Sequence, residues 1–301
     1  MTVTSPVLPA AAGTATTHRH TLLRTLLRNR LAVVALAVLA VLVLAAVLAP
    51  LIVPYDPNAQ NLLQRLQPPA WLAGGHRAHL LGTDELGRDM LSRVIYGTRV
   101  SLLVGAGAAL LAGTVGTAVG LVAGYFGGWP DRLLMRLADV QLAFPAILLA
   151  LAVIGFLGSG LGFVILVLGF TGWVSYARVV RSEVLSLRTR DFVTEARAIG
   201  VTDTAIIRRH LLPNVTAPLA TIATLHVAAA IVAEASLSYL GLGVPKETVT
   251  WGGMLADGQL YLGTAWWVAV FPGLALMITS LAVNLTGDAL RDVADPKAYR
   301  R

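Results

Sequence analysis

The 301-residue sequence contains no cysteine. Disulfides, thiolate metal sites and cysteine nucleophiles are therefore excluded, although the absence identifies no compartment. Lysine is nearly missing as well: Lys246 and Lys297 are the only two, and each follows a proline. A phosphate-cradling P-loop needs a glycine directly before its lysine, so the chain cannot hydrolyse ATP by that mechanism. Charge of either sign is scarce, with 13% of residues charged against 56% hydrophobic and a mean hydropathy of +0.73. Soluble domains carry about 25% charged residues, so this composition points to a polytopic membrane protein. The net charge of +7 comes with no aromatic-interleaved basic surface, which argues against a nucleic-acid partner. HExxH is absent, and Leu157 stands where a GxSxG elbow around Ser159 would need glycine, so an intramembrane protease is disfavoured.

What the chain does have is long apolar runs, and they predict six transmembrane helices. The first covers Leu31 to Val53 and ends at Pro54; it is longer than the roughly 7–15 apolar residues of a signal peptide. The others fall near 100–124, 134–157, 161–176, 214–237 and 266–285. Pro145 is expected to kink the third and Pro218 the fifth, and Trp266 and Trp267 are expected at the interface where the sixth begins. Gly116, Gly120 and Gly124 recur every fourth residue of the second span and predict close packing against a neighbouring helix. Placing the N-terminus inside puts Arg19, Arg24, Arg28 and Arg30 in the cytoplasm. Arg132, Arg136, seven arginines between 178 and 209, and Arg291, Lys297, Arg300 and Arg301 join them, as the positive-inside rule requires.

The chain thus divides into a cytoplasmic tail (1–30), a first span with a long external loop (31–98), a five-helix core (99–290) and a cytoplasmic tail (291–301). In the external loop, Gly82 and Gly87 beside Asp84 and Asp89 suggest Asx-pinned turns, with Arg88, Arg93 and Arg99 to neutralise the acids. The spacing of His76, His79 and Asp84 fits no standard metal site. A second outer segment, 238–265, is glycine-rich and has room for a short re-entrant helix. Asp139 and Glu234 are the intramembrane acids. Arg136, three residues before Asp139, is its expected partner; Glu234 either lines the translocation path or pairs with a polar loop. His226 is expected to be packed in its span.

Residues 178–214 form a polar island between apolar runs. Asp191 can cap a short helix with Phe192, Ala196 and Ile199 on one face, and Gly200 sits where a helix end favours positive φ. Thr202 and Asp203 offer caps for a second short helix that carries Ile206 to His210 and is expected to stop at Pro213. Two short helices hinged at glycine suggest a docking element, and an ordinary basic cytoplasmic loop is the alternative.

The island resembles the signature loop of ABC-importer permeases, which reads Glu-Ala-Ala, three residues, Gly, nine residues, an apolar residue, any residue, Leu-Pro. Thr194, Glu195 and Ala196 fill the first three places, followed by Gly200, His210, Leu212 and Pro213. Thr194 replaces the leading acid, and Glu195 falls one residue late. Other motifs extend the resemblance over nearly the whole chain: LGTDELGRDMLSRVIYGTRVSL, GYFGGWPDRLLMRLADVQLAFPAILLA, EASLSYLGLGVP and NLTGDALRDVADP. Together they resemble the C-type permease subunit of dipeptide, oligopeptide and nickel importers. That resemblance implies a type I importer permease fold in a bacterial inner membrane, embedded in lipid and without a cofactor. It further implies a second homologous permease, two ATPase subunits, an external solute-binding protein and a peptide or similar small solute. A permease for nickel chelates or glutathione is the alternative, and an ion-driven secondary transporter is a more distant one.

Overall fold

The computed structural model describes residues 29–294, so the N-terminal tail and the end of the C-terminal tail lie outside the described residues. Among the described residues the secondary structure is helical, with one isolated bridge between Thr83 and Asp89. Helix α1 (Arg30–Ile52) starts where the Asn29 side chain accepts from the amides of Leu31 and Ala32. The outer loop then leads to α2 (Met90–Phe126), whose first turn is capped by Asp89 accepting from the Ser92 amide. The helix thus begins at Met90, ten residues ahead of the expected start near Val100. The 37 residues of α2 extend for about 55 Å at 1.5 Å per residue. A hydrocarbon core is only about 30 Å thick, so α2 projects beyond it.

The expected third span is not one helix. It consists of α3 (Gly128–Leu142) and α4 (Ala146–Leu157), which meet at an angle of 87°. Pro145 lacks an amide hydrogen and disfavours helical φ/ψ in the residue before it, so the chain turns rather than kinks. Among the described residues five helices are long and apolar enough to cross a membrane, and counting the bent pair as one span makes six. Helix α5 (Leu161–Leu187) follows, then α6 (Asp191–Ala198) and the single-turn α7 (Asp203–Ile206). Pro213 does not end this last helix. A π-helical turn over Ile207–Leu211 carries it directly into α8 (Leu212–Tyr239). The wider π turn absorbs the ring and the missing donor of Pro213, so α7 and the fifth span form one continuous rod. Beyond it, Thr250 caps the short α9 (Trp251–Gly258), and α10 (Trp267–Ala294) closes the described chain.

Two further pairings differ from expectation. Asp139 accepts a bond from Arg178 of α5 at 2.7 Å, not from Arg136, because the bend at Pro145 lays α3 across the end of α5. Trp267 is buried and donates from Nε1 to the Thr83 carbonyl at 3.0 Å, which pins the outer loop. Trp266, by contrast, is exposed.

Helices α2 and α5 make the most extensive contact in the fold. A Cβ added at Gly116 would lie 2.4 Å from the Trp173 carbonyl oxygen. One at Gly120 would lie 2.7 Å from that of Ala177, and one at Gly124 would lie 2.8 Å from Cβ of Val184. All three glycines therefore sit against α5 at distances no side chain allows. Gly120→Leu is expected to cost at least the roughly 1–3 kcal/mol typical of overpacking and to lower the melting temperature or yield of the solubilised complex. Gly155→Ala, which would meet nothing within 4 Å, is the control and should be neutral. Equal stability of the Gly120→Leu and wild-type complexes would show that α2 and α5 separate at no cost.

Candidate functional site

The polar island folds onto the inner ends of α2 and α5. Helix α6 buries Val193 and Ala196, whereas Phe192 is 39% exposed and Ile199 is 80% exposed. Of the predicted stripe of Phe192, Ala196 and Ile199, Ala196 alone is buried, with Val193 taking the inward place expected of Phe192. Val193 and Ala196 join Ile206, Leu211 and Val215 in one cluster with Leu121 and Tyr125 of α2 and Val180 and Val184 of α5. The first helical residue is Asp191, after an Arg190 that makes no side-chain cap, so Asp191 supplies first-turn charge rather than a cap. Thr202 occupies the N-cap of α7, but its side chain makes no capping bond. Gly200 has φ +81°, and a Cβ there would meet nothing within 4 Å.

The signature positions occupy different surroundings. Thr194 returns its hydroxyl to the Arg190 carbonyl at 3.0 Å, satisfying itself within its own helix. Glu195 is exposed, Ala196 faces the cluster, and His210 stacks near Phe192 at 6.1 Å between ring centres. Leu212 and Pro213 form the first turn of α8 and are exposed.

Polar contacts that the sequence alone did not indicate fasten this element. The Tyr125 hydroxyl donates to Asp203 across 78 residues of sequence. Arg197 lies over the Tyr125 ring, 5.3 Å from its centre. Arg188 donates to the Gly124 carbonyl at 3.0 Å, and Arg181 forms a two-pronged pair with Asp131 at 2.5 and 2.7 Å. No local spacing flags Tyr125, because four helices separate it in sequence from its partner.

On the outer side, Arg88 bridges Asp84 at 2.6 Å, Glu85 at 2.9 Å and Asp257 at 3.4 Å, and Arg93 lies 3.4 Å from Asp84. Burial first, and then the neighbouring Asp84 carboxylate, pushes the Glu85 carboxyl above its ordinary value even with Arg88 beside it. Arg99 points to solvent instead, and Asp89 pairs with His79, whose other ring nitrogen contacts Gln64. His79 is thus spent on the loop's own framework. Glu234 is fully buried; Ser238 donates to its Oε1 at 2.7 Å, while Oε2 has no protein partner among the described residues. Ser238 and Thr250 face a cavity of about 640 Å³ shared with Glu85, Arg88, Lys246 and Asp257, and Glu234 lies behind that wall. His226 packs edge-on against Tyr176 at 5.6 Å, in space kept open by Gly172.

Comparison with known proteins gives concordant findings. A family described as binding-protein-dependent transport system inner membrane component matches residues 116–300. A second, described as the N-terminal TM domain of oligopeptide transport permease C, matches residues 19–69. The chain is 44% identical over 252 residues to the di/tripeptide transport system permease protein DppC of Pseudomonas aeruginosa, covering 84% of this chain and 83% of that one. It is 40% identical over 270 residues to the dipeptide transport system permease protein DppC of Haemophilus influenzae, covering 90% and 92%. A solved inward-facing structure of the MetNI methionine ABC transporter shares the fold, with a TM-score of 0.55 and 22% identity over 68% of this chain and 97% of that one.

Tyr125→Phe keeps the ring beneath Arg197 but removes the bond to Asp203, a charged acceptor of the kind worth about 1.5–3 kcal/mol. Amide hydrogen exchange across 191–206 should therefore speed up while exchange in α2 and α5 stays unchanged. Unaltered exchange in the island would mean that the tyrosine does not anchor it.

Proposed function

The chain belongs to the family of binding-protein-dependent transport system inner membrane components, and on that premise we propose that residues 191–213 carry the stroke of partner ATPases into its spans during uptake of dipeptides and short oligopeptides. It is a multi-pass inner-membrane permease of an ATP-driven importer, and the energy source lies in separate ATPase subunits. Membership of this family implies partnership with those ATPases and with another permease. In our reading the assembly holds two ATPases, a homologous but distinct second permease, and an external solute-binding protein that delivers the peptide. The relatives named for di- and tripeptides support the substrate class.

One observation carries the coupling role: the island is anchored on one face and open on the other. Val193, Ala196, Ile206 and Leu211 are buried against α2 and α5, whereas Glu195, Ile199, Arg208 and Arg209 face outward. An 80% exposed isoleucine beside a left-handed glycine is what a tip seated in a partner's groove would present. Because α7 runs without a break into α8, a push on that tip reaches the fifth span directly. At the far end of that span, Glu234 is assigned to the outer part of the path, acting through Ser238 on the cavity wall.

Gly200 provides the test. A left-handed turn costs a residue with a Cβ roughly 1–2 kcal/mol, and asparagine tolerates it better than valine. Gly200→Val should insert normally but lose peptide uptake, through lost ATPase binding or loss of the hydrolysis stimulated by loaded binding protein. Gly200→Asn should retain much of both, and Thr194→Ala should be mild because Thr194 bonds only its own helix. Wild-type uptake by Gly200→Val would refute the coupling role.

A further inference from the structure

A second pocket opens at the inner ends of the spans, where the function assigned above needs none. It has a volume of about 570 Å³ and is lined by Tyr125, Phe126, Arg188, Thr189, Arg197 and Asp203. Two arginines from different elements meet there, and among the described residues neither guanidinium has a carboxylate within 4 Å. The single acid on the wall, Asp203, is engaged by the Tyr125 hydroxyl. Nearby Asp131 is held by Arg181. Arg188 and Arg197 therefore leave the pocket with excess positive charge and guanidinium N–H groups able to bond an anion's oxygens, whereas the Tyr125 and Thr189 hydroxyls already donate to Asp203 and to the Ser186 carbonyl.

The surroundings decide which anion. Phe126, on the pocket wall, is 53% exposed. Just past it the chain turns at Gly127 and Gly128, both at positive φ, into α3. On α3, Trp129, Leu133 and Leu137 recur every fourth residue and are 66%, 43% and 53% exposed. Arg132 and Arg136, three residues after Trp129 and Leu133, border the same stripe along one edge. An apolar stripe headed by tryptophan and flanked by arginines is the pattern of a helix lying in the membrane interface. A basic pocket at the cytoplasmic end of the spans, with an apolar track leading away from it, matches a phosphate headgroup with its acyl chains attached. A soluble phosphate would gain nothing from that track.

We propose that the pocket between Arg188 and Arg197 binds the phosphate of an anionic phospholipid of the inner leaflet, with its acyl chains along the Trp129–Leu137 face of α3. The lipid would brace the corner between α2 and α3 on which the coupling element sits. This assignment does not depend on the coupling role, because lipid binding is read directly.

The test uses the assembled transporter, extracted from vesicles containing equal amounts of phosphatidylglycerol and phosphatidylcholine, with retained lipid counted by native mass spectrometry. Wild type should retain phosphatidylglycerol in preference to phosphatidylcholine. Arg197→Gln changes an exposed side chain and should lose that preference, whereas Arg291→Gln, an exposed arginine outside both the pocket and the coupling element, should keep it. Arg188 also bonds the Gly124 carbonyl, so Arg188→Lys, which preserves charge, should retain lipid where Arg188→Gln does not. A parallel extraction with inorganic phosphate identifies the source of the anion. Displacement of the lipid by phosphate alone would make this a free-anion site and overturn the lipid assignment. Equal retention of both lipids by wild type, or unchanged preference in Arg197→Gln, would overturn the site itself.

Discussion

The structure depends on the contact between α2 and α5, and that contact depends on three absent side chains. Lipid gives no hydrophobic drive for helices to associate, so they pack by shape. Gly116, Gly120 and Gly124 let backbone meet backbone where any Cβ would clash with carbonyls or Val184. The consequence is mechanical. The 37-residue α2 runs from the outer loop, where Asp89 caps it, to the cytoplasmic island, where Tyr125 holds Asp203. Outer loop and coupling element are therefore attached to opposite ends of one braced pair.

At the cytoplasmic end, apolar burial and polar contacts play different parts. Burying each Val, Leu or Ile side chain is worth about 1.5–3 kcal/mol. The island buries Val193, Ile206 and Leu211 completely. Exposed ion pairs are worth about 0–1 kcal/mol, so the half-open Arg178–Asp139 pair adds little to stability. The polar contacts instead set register: Arg181 on Asp131 and Arg188 on the Gly124 carbonyl leave α3 and α2 little freedom to slide against α5. In the proposed mechanism, a stroke delivered at the Ile199–Gly200 tip would move a body, not a loop.

Much of this was legible in the sequence, for reasons that particular residues make clear. Apolar runs located every span because lipid imposes a length and composition that periodicity cannot hide. The glycine stripe was visible because its spacing matches the helical repeat, and Gly200 because left-handed turns select glycine. The failures have two sources. Pro145 and Pro213 disturb a helix without dictating how, so a kink and a stop were expected where the chain bends by 87° and makes a π turn. The partner of Asp139 lies on α5, which no local window contains. Pro213 looked like a stop because an isolated helix would stop there. The Tyr125–Asp203 bond was invisible because 78 residues separate its partners, and α6 buries Val193 in place of Phe192 because α2 and α5, rather than the helix's own pattern, set its inward face.

The central claim is that the coupling element and the inner half of α5 move as one body. The absence of native cysteine allows spin labels at introduced cysteines, and Thr204 on α7 and Ser182 on α5 are both exposed. Their separation should be measured by pulsed electron resonance in the assembled, functional transporter, once without nucleotide and once with ATP trapped. The expected distance distribution is the same in both states. A distribution that shifts or broadens when ATP is trapped would mean that the island flexes on its own, and a rigid coupling lever would be contradicted.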